Sequence, residues 1–214
     1  MKVVKEHPGD VAAVVLTGDG RAEYRRLRYL AEHYDENQHL FFPQRPDRNL
    51  SIVGRQRETP NNQTRGFDAL NALKIFKAKY GLHHFLFLTD REHVKNSPQE
   101  DLNNKLEEIS TRGEYTTSRL EQAAFSSSVK VGSKELTVLS AIIGDQFECM
   151  EDGLAALLKH QWGNEVTAES RKELKSNVMQ VLSGGTEKTL IEDASRYNLK
   201  RSFPNLDCVL TTFE

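Results

Sequence analysis

The 214-residue chain has little cysteine: only Cys149 and Cys208. Two distant cysteines make no disulfide framework and, by themselves, no zinc ribbon. Long apolar runs are missing too. Nothing approaches the roughly 18 consecutive residues that a membrane helix needs, and the opening MKVVKEHPGD lacks a signal-peptide hydrophobic region. Charge of one sign is not in excess. Lys and Arg number 29 against 31 Asp and Glu, a net of −2. That excludes a uniformly basic nucleic-acid coat but leaves room for a local basic groove. A single tryptophan, Trp162, offers no stacking platform for single strands. These absences predict a cytoplasmic chain with no membrane partner, long enough for one ordinary domain with a sizeable core.

Residues 11–16, VAAVVL, form a β-rich apolar run that ends in Thr17-Gly-Asp-Gly20. A buried parallel strand and a tight loop follow from that pattern. Residues 22–33 then place Leu27, Leu30 and Ala31 on one helical stripe beside Tyr24, with arginines at 21, 25, 26 and 28 around it. A polar stretch carries Pro43, Pro46 and Pro60, with a short strand expected at 50–53. Phe67, Leu70, Leu73 and Phe76 recur every three residues, so 66–80 reads as an amphipathic helix closed by Gly81. Residues 85–89, FLFLT, read as a second buried strand with Asp90-Arg-Glu92 at its carboxyl end.

Downstream, the pattern predicts a helix over 100–109 and a short one over 118–124. Strands follow at 129–131 and 135–143, turned by Gly132-Ser133. Helices are expected over 148–160, parts of 167–182 and 186–197, and 205–213. The whole predicts an α/β fold: a mainly parallel central sheet flanked by helices, with a helical C-terminal third. Residues 1–160 read as the α/β domain and 161–214 as a helical part packed on it.

In open α/β sheets, ligands bind at the carboxyl ends of strands. Acids gather at three such places: Asp19 and Glu23, Asp90 and Glu92, and Glu148 with Glu151 and Asp152. If the backbone stays extended, Asp90 and Glu92 point the same way. On a helix, Glu148 and Glu151 share a face. Carboxylates from three strand ends are what Mg²⁺ takes, together with waters and phosphate oxygens.

This order resembles the Toprim superfamily of topoisomerases, primases and small nucleases. Its Glu-Gly motif and following acid match Asp19-Gly20 and Glu23, and its Asp-x-Asp matches Asp90-Arg-Glu92. Glu148-Cys-Met-Glu-Asp-Gly-Leu154 resembles a later Glu-rich helix start in small Toprim-like proteins, some of them linked to defence. The resemblance implies a Toprim/Rossmann-like sheet and an Mg²⁺- or Mn²⁺-dependent nuclease or phosphotransfer activity on nucleic acid. Asp90 and Glu92, with Glu148 or Glu151, would hold the metal. Asp19 or Glu23 would serve as acid/base or a further ligand, and Arg55, Arg57, Arg65 or Arg91 would meet phosphate. Asp stands at 19 for the family's Glu, and Glu at 92 for its second Asp. These departures leave open an alternative: a catalytically degenerate binding module acting through a larger protein partner.

Other motifs fall short. Gly18-Asp-Gly-Arg-Ala-Glu23 lacks the third glycine of a dinucleotide fingerprint, and Glu23 there would repel pyrophosphate. Gly184-Gly-Thr-Glu-Lys-Thr189 lacks phosphate-loop spacing. The seven histidines show no zinc spacing. His93, close to Asp90, reads as an exposed loop residue, and Cys149 and Met150 read as core.

Overall fold

The computed structural model describes residues 1–5, 9–18, 21–42, 66–74 and 81–214, residues 21–23 by backbone alone. Asp19, Arg55, Arg57, Arg65, the 50–53 strand and positions 75–80 of the expected 66–80 helix lie outside the described residues.

The molecule is α/β, built on a mixed, mostly parallel seven-stranded sheet. The strands are β1 (Lys2–Val4), β2 (Ala13–Thr17), β3 (His39–Phe41), β4 (His84–Asp90), β5 (Tyr115–Glu121), β6 (Ala124–Val131) and β7 (Lys134–Ile143), in the spatial order β1-β3-β2-β4-β7-β6-β5. From β1 to β7 the neighbours are parallel; β6 and β5 add an antiparallel flank. All five residues of β2 and six of the seven in β4 are buried. Both faces of these central strands are covered, which is why they read as unbroken apolar runs.

Period-two alternation divides the core. Ala13 and Val15 of β2, with Leu86 and Leu88 of β4, face a cluster containing Leu27, Leu154, Leu158 and Val209. Val14, Leu16, Phe85 and Phe87 face the other side, with Phe67, Leu70, Leu102 and Leu106. Helices fully within the described residues are α1 (Arg21–Ala31), α2 (Pro98–Ile109), α3 (Met150–Trp162), α4 (Arg171–Val181), α5 (Thr186–Glu192), α6 (Arg196–Ser202) and α7 (Pro204–Thr211). Ser97, Ser170 and Ser195 open α2, α4 and α6, each hydroxyl accepting from the backbone N–H three residues on. Gly163, at φ +70°, closes α3. Among the described residues no helix is long and apolar enough to cross a membrane.

Several expectations are corrected. Residues 118–121 are strand, not helix, because Ser118 pairs with Ser126 and Arg119 with Phe125 across the β5–β6 ladder. Strand β6 starts at Ala124, five residues before the expected 129. Gly66–Ala72 is a 3₁₀ helix. An apolar residue at every third position suits three residues per turn better than 3.6. The expected 186–197 helix is two helices, with Ser195 capping the second. Helix α3 starts at Met150 rather than 148, because Glu148 sits at φ +60°. The three-residue strands β1 and β3 had no sequence signal. Cys149 and Met150 are buried, as expected.

One glycine is placed by packing. A Cβ at Gly153, inside α3, would sit 2.2 Å from Phe203 Cε1. Ala is normally worth about 1 kcal/mol over Gly in a helix. Here Gly153→Ala is expected to lower the urea midpoint, because overpacking costs about 1–3 kcal/mol. A raised midpoint would show that Phe203 moves aside freely.

Candidate functional site

The carboxyl ends of β2 and β4 meet at close quarters. Gly18 N–H donates to Leu88 O at 2.8 Å, and Gly66 N–H donates to Gly18 O at 3.2 Å. A Cβ at Gly18 would lie 2.3 Å from Thr89 Oγ1 and 2.9 Å from Gly66 Cα. Only glycine lets three chain segments approach this way. His93 packs over Gly66, where a Cβ would come within 2.6 Å of the His93 Cβ. The His93 side chain is therefore only 16% exposed, and its Nε2 lies 3.8 Å from Glu92 Oε1. It is a packed residue, not the exposed loop histidine expected.

Asp90 ends β4 and is buried. Its Oδ1 accepts from Met150 N–H at 3.1 Å, in the first turn of α3. A carboxylate there complements the helix macrodipole. Asp90 is still extended, but Arg91–His93 turns at once into a 3₁₀ helix. The strand alternation expected to align Asp90 with Glu92 therefore stops at Asp90. Glu92 instead meets the loop before α3: its N–H donates to Glu148 O at 2.9 Å.

That loop is held by Asp152. Its carboxylate accepts from the backbone N–H of Asp145 at 2.9 Å, Phe147 at 3.1 Å and Cys149 at 3.2 Å. The loop in turn holds Glu148 in the left-handed region, a costly conformation for a non-glycine residue. Asp90, Glu92 and Glu148 thus come to one junction between β4 and α3.

Arg171, the first residue of α4, closes that junction. Its Nη1 pairs with Glu92 Oε2, its Nη2 lies 3.1 Å from Glu148 Oε2, and its Nε donates to Phe147 O at 2.8 Å. One guanidinium therefore binds both carboxylates.

Glu151 belongs elsewhere. Its Oε1 lies 2.7 Å from Arg26 Nη1, and its Oε2 is 4.0 Å from Lys175 Nζ. Arg26 also reaches Glu187 Oε2 at 3.4 Å, and Arg25 flanks Glu187 at 3.0 Å. Arg26, Glu151 and Glu187 are all buried. Burial alone would raise the Glu151 pKa, but Arg26 overrides it and holds the carboxyl below its ordinary value. Burial alone would likewise lower Arg26, and the two carboxylates override it.

Of the other site candidates, Glu23 is placed by its backbone at the start of α1, and Arg91 lines a separate cavity. Among the described residues no three Asp, Glu, His or Cys side chains form a group that would hold a metal ion. Comparison with protein-family models, curated proteins and solved structures finds no match to this chain.

Arg25, Arg26, Arg171, Lys175 and Glu187 were not among the expected site residues. Arg171 follows a visible helix start, Ser170-Arg-Lys-Glu173, yet its partner Glu92 is 79 residues away. Arg26 adjoins Leu27 in the apolar stripe, the only hint that it turns inward.

Proposed function

We propose that the chain is a Toprim-like protein with a Toprim/Rossmann-like sheet that cleaves phosphodiester bonds in nucleic acid, dependent on Mg²⁺ or Mn²⁺. One observation carries this reading. Asp90 ends a central parallel strand, where open α/β sheets bind ligands, and the turn after it brings Glu92 to Glu148 through a backbone hydrogen bond and a shared Arg171. The donor set of the three acids is hard carboxylate oxygen, which suits Mg²⁺. Asp90, with Glu92 and Glu148 released from Arg171, would hold the ion. A bound Mg²⁺ polarises a phosphodiester and activates water. Asp19 and Glu23, next in chain order to the adjacent strand β2, are the acid/base candidates. The arginines at 55, 57 and 65 are candidates for meeting phosphate. A role in genome maintenance or defence rests on the family resemblance.

A second reading has its own support. Arg171 already places a cation against Glu92 and Glu148, as suits a degenerate site in a module that acts through a protein partner.

Calorimetric titration of Mg²⁺ and Mn²⁺ separates the two, with and without DNA or RNA. If the metal reading holds, wild type binds and Arg171→Ala binds about tenfold tighter, a gain of about 1.4 kcal/mol, because a competing cation is gone. If neither protein binds metal even with nucleic acid present, the nuclease reading fails and the binding module stands.

A further inference from the structure

A cavity of about 330 Å³ opens beside the carboxyl end of β7, between the loop before α3 and the junction of α6 with α7. Its volume falls in the range of small-molecule sites, about 300–1,000 Å³. Four observations give it a chemical character.

First, α7 is uncapped. Phe203 at the cap position supplies no side-chain hydrogen bond, and Pro204 has no N–H. The earliest N–H bonded within the helix is that of Asp207, to Phe203 O. The N–H groups of Asn205 and Leu206 have no partner among the described residues. Asn205 does not cap them, because Oδ1 accepts from Ala123 N–H and Nδ2 donates to Ile142 O.

Second, Ser202 on the cavity wall is buried, and its Oγ has no hydrogen-bond partner among the described residues. A buried hydroxyl left unmatched is costly. Third, Arg91 and Arg201 line the same space. Neither pairs with a carboxylate among the described residues; Arg201 lies over the Tyr197 ring at 5.5 Å. Of the two acids on the wall, Asp152 is spent on the loop N–H groups and Asp145 is exposed. Fourth, Phe147 and Phe203 add aromatic surface.

We propose that this cavity binds a small organic molecule ending in an oxyanion, a phosphate or a carboxylate. The anion sits at the start of α7, on the Asn205 and Leu206 N–H groups and the Ser202 hydroxyl, with Arg201 and Arg91 supplying countercharge. The body lies against Phe147 and Phe203. The site is distinct from the Asp90 junction, and its binding is independent of divalent metal.

The test is calorimetry in EDTA with three probes: inorganic phosphate, phenyl phosphate and benzoate. Phenyl phosphate is expected to bind at least tenfold tighter than inorganic phosphate, because the ring fills the aromatic end. Benzoate matching phenyl phosphate would assign a carboxylate ligand; weaker binding of benzoate would assign a phosphate. Arg201→Gln and Ser202→Ala are each expected to weaken the favoured probe at least fivefold, with unchanged thermal midpoints showing that they fold. No binding by any probe at millimolar concentration overturns the proposal. So does affinity that both variants leave unchanged.

Discussion

Arg26→Met is expected to cost about 4 kcal/mol of folding stability, the range seen when one partner of a buried ion pair is removed. At about 2–4 °C per kcal/mol for a chain of this length, the thermal midpoint should fall by about 10 °C. Met keeps much of the volume, so packing is not the main loss. The loss is electrostatic: Glu151 and Glu187, both only 7% exposed, would face each other across an apolar side chain. Arg25→Met is the control. Arg25 also touches Glu187, but its side chain is 51% exposed, so its loss should cost under about 1 kcal/mol. Equal losses for the two arginines would show that Arg26 is no more than a surface partner. The triple change Arg26→Met, Glu151→Leu, Glu187→Leu should recover at least half of the loss, because no charge is then left buried and unpaired.

The same cluster sets a pH dependence. In the folded protein Glu151 titrates below its ordinary value, because Arg26 outweighs the burial. A depressed folded pKa contributes stability above the unfolded value, about 4.3 for Glu, and loses it as pH falls through the folded value. Wild type should therefore weaken on acidification below about pH 4. In Arg26→Met the strongest opponent of burial is gone and only a backbone hydrogen bond and the more distant Lys175 still hold the Glu151 carboxyl down, so its depression shrinks and less stability is lost on acidification. The stability gap between wild type and variant should narrow as pH is lowered, read from urea midpoints across the acid range. A constant gap would detach Glu151 from Arg26.

Glu151 also marks where sequence legibility ends. Its helix was readable from apolar periodicity and its acidic start, and so were β2, β4, the β6–β7 hairpin and most of the later helices. Those elements carry local signals, above all continuous apolar runs where both sheet faces are covered. The short strands β1 and β3 carry no such signal, since three residues show no period. Strand β5 is nearly all polar and exposed, so only its ladder to β6 makes it a strand. At the site, the strand end at Asp90 was legible because an acid directly follows a buried run. The roles of the other acids were not. Glu148, in the loop before α3, and Glu151, in its first turn, sit three residues apart, yet one meets Arg171 and the other Arg26. Which arginine reaches which acid is decided by α1 and α4, over 125 and 23 residues of chain.

If the chain is the metal-dependent nuclease proposed, Asp90→Asn is expected to reduce its cleavage by more than about 100-fold. Changes to residues that merely orient a ligand already cost about 10–100-fold, and Asp90 is the most buried acid of the junction. The substitution is chosen for what it keeps. The carboxylate Oδ1 accepts the Met150 N–H, and an amide oxygen in the same place still accepts it. The negative charge disappears, and with it a favourable contact to the α3 macrodipole worth about 0.3–1 kcal/mol. Loss of that contact alone shifts the thermal midpoint by no more than about 4 °C. Asp90→Ala removes the acceptor too and should cost about 1–2 kcal/mol more, leaving a buried N–H unpaired. The two variants separate structure from chemistry. If Asn keeps the fold and loses cleavage, the charge of Asp90 serves the reaction. If Asn cleaves like wild type while Ala unfolds, Asp90 is a helix cap and the metal role proposed for it falls.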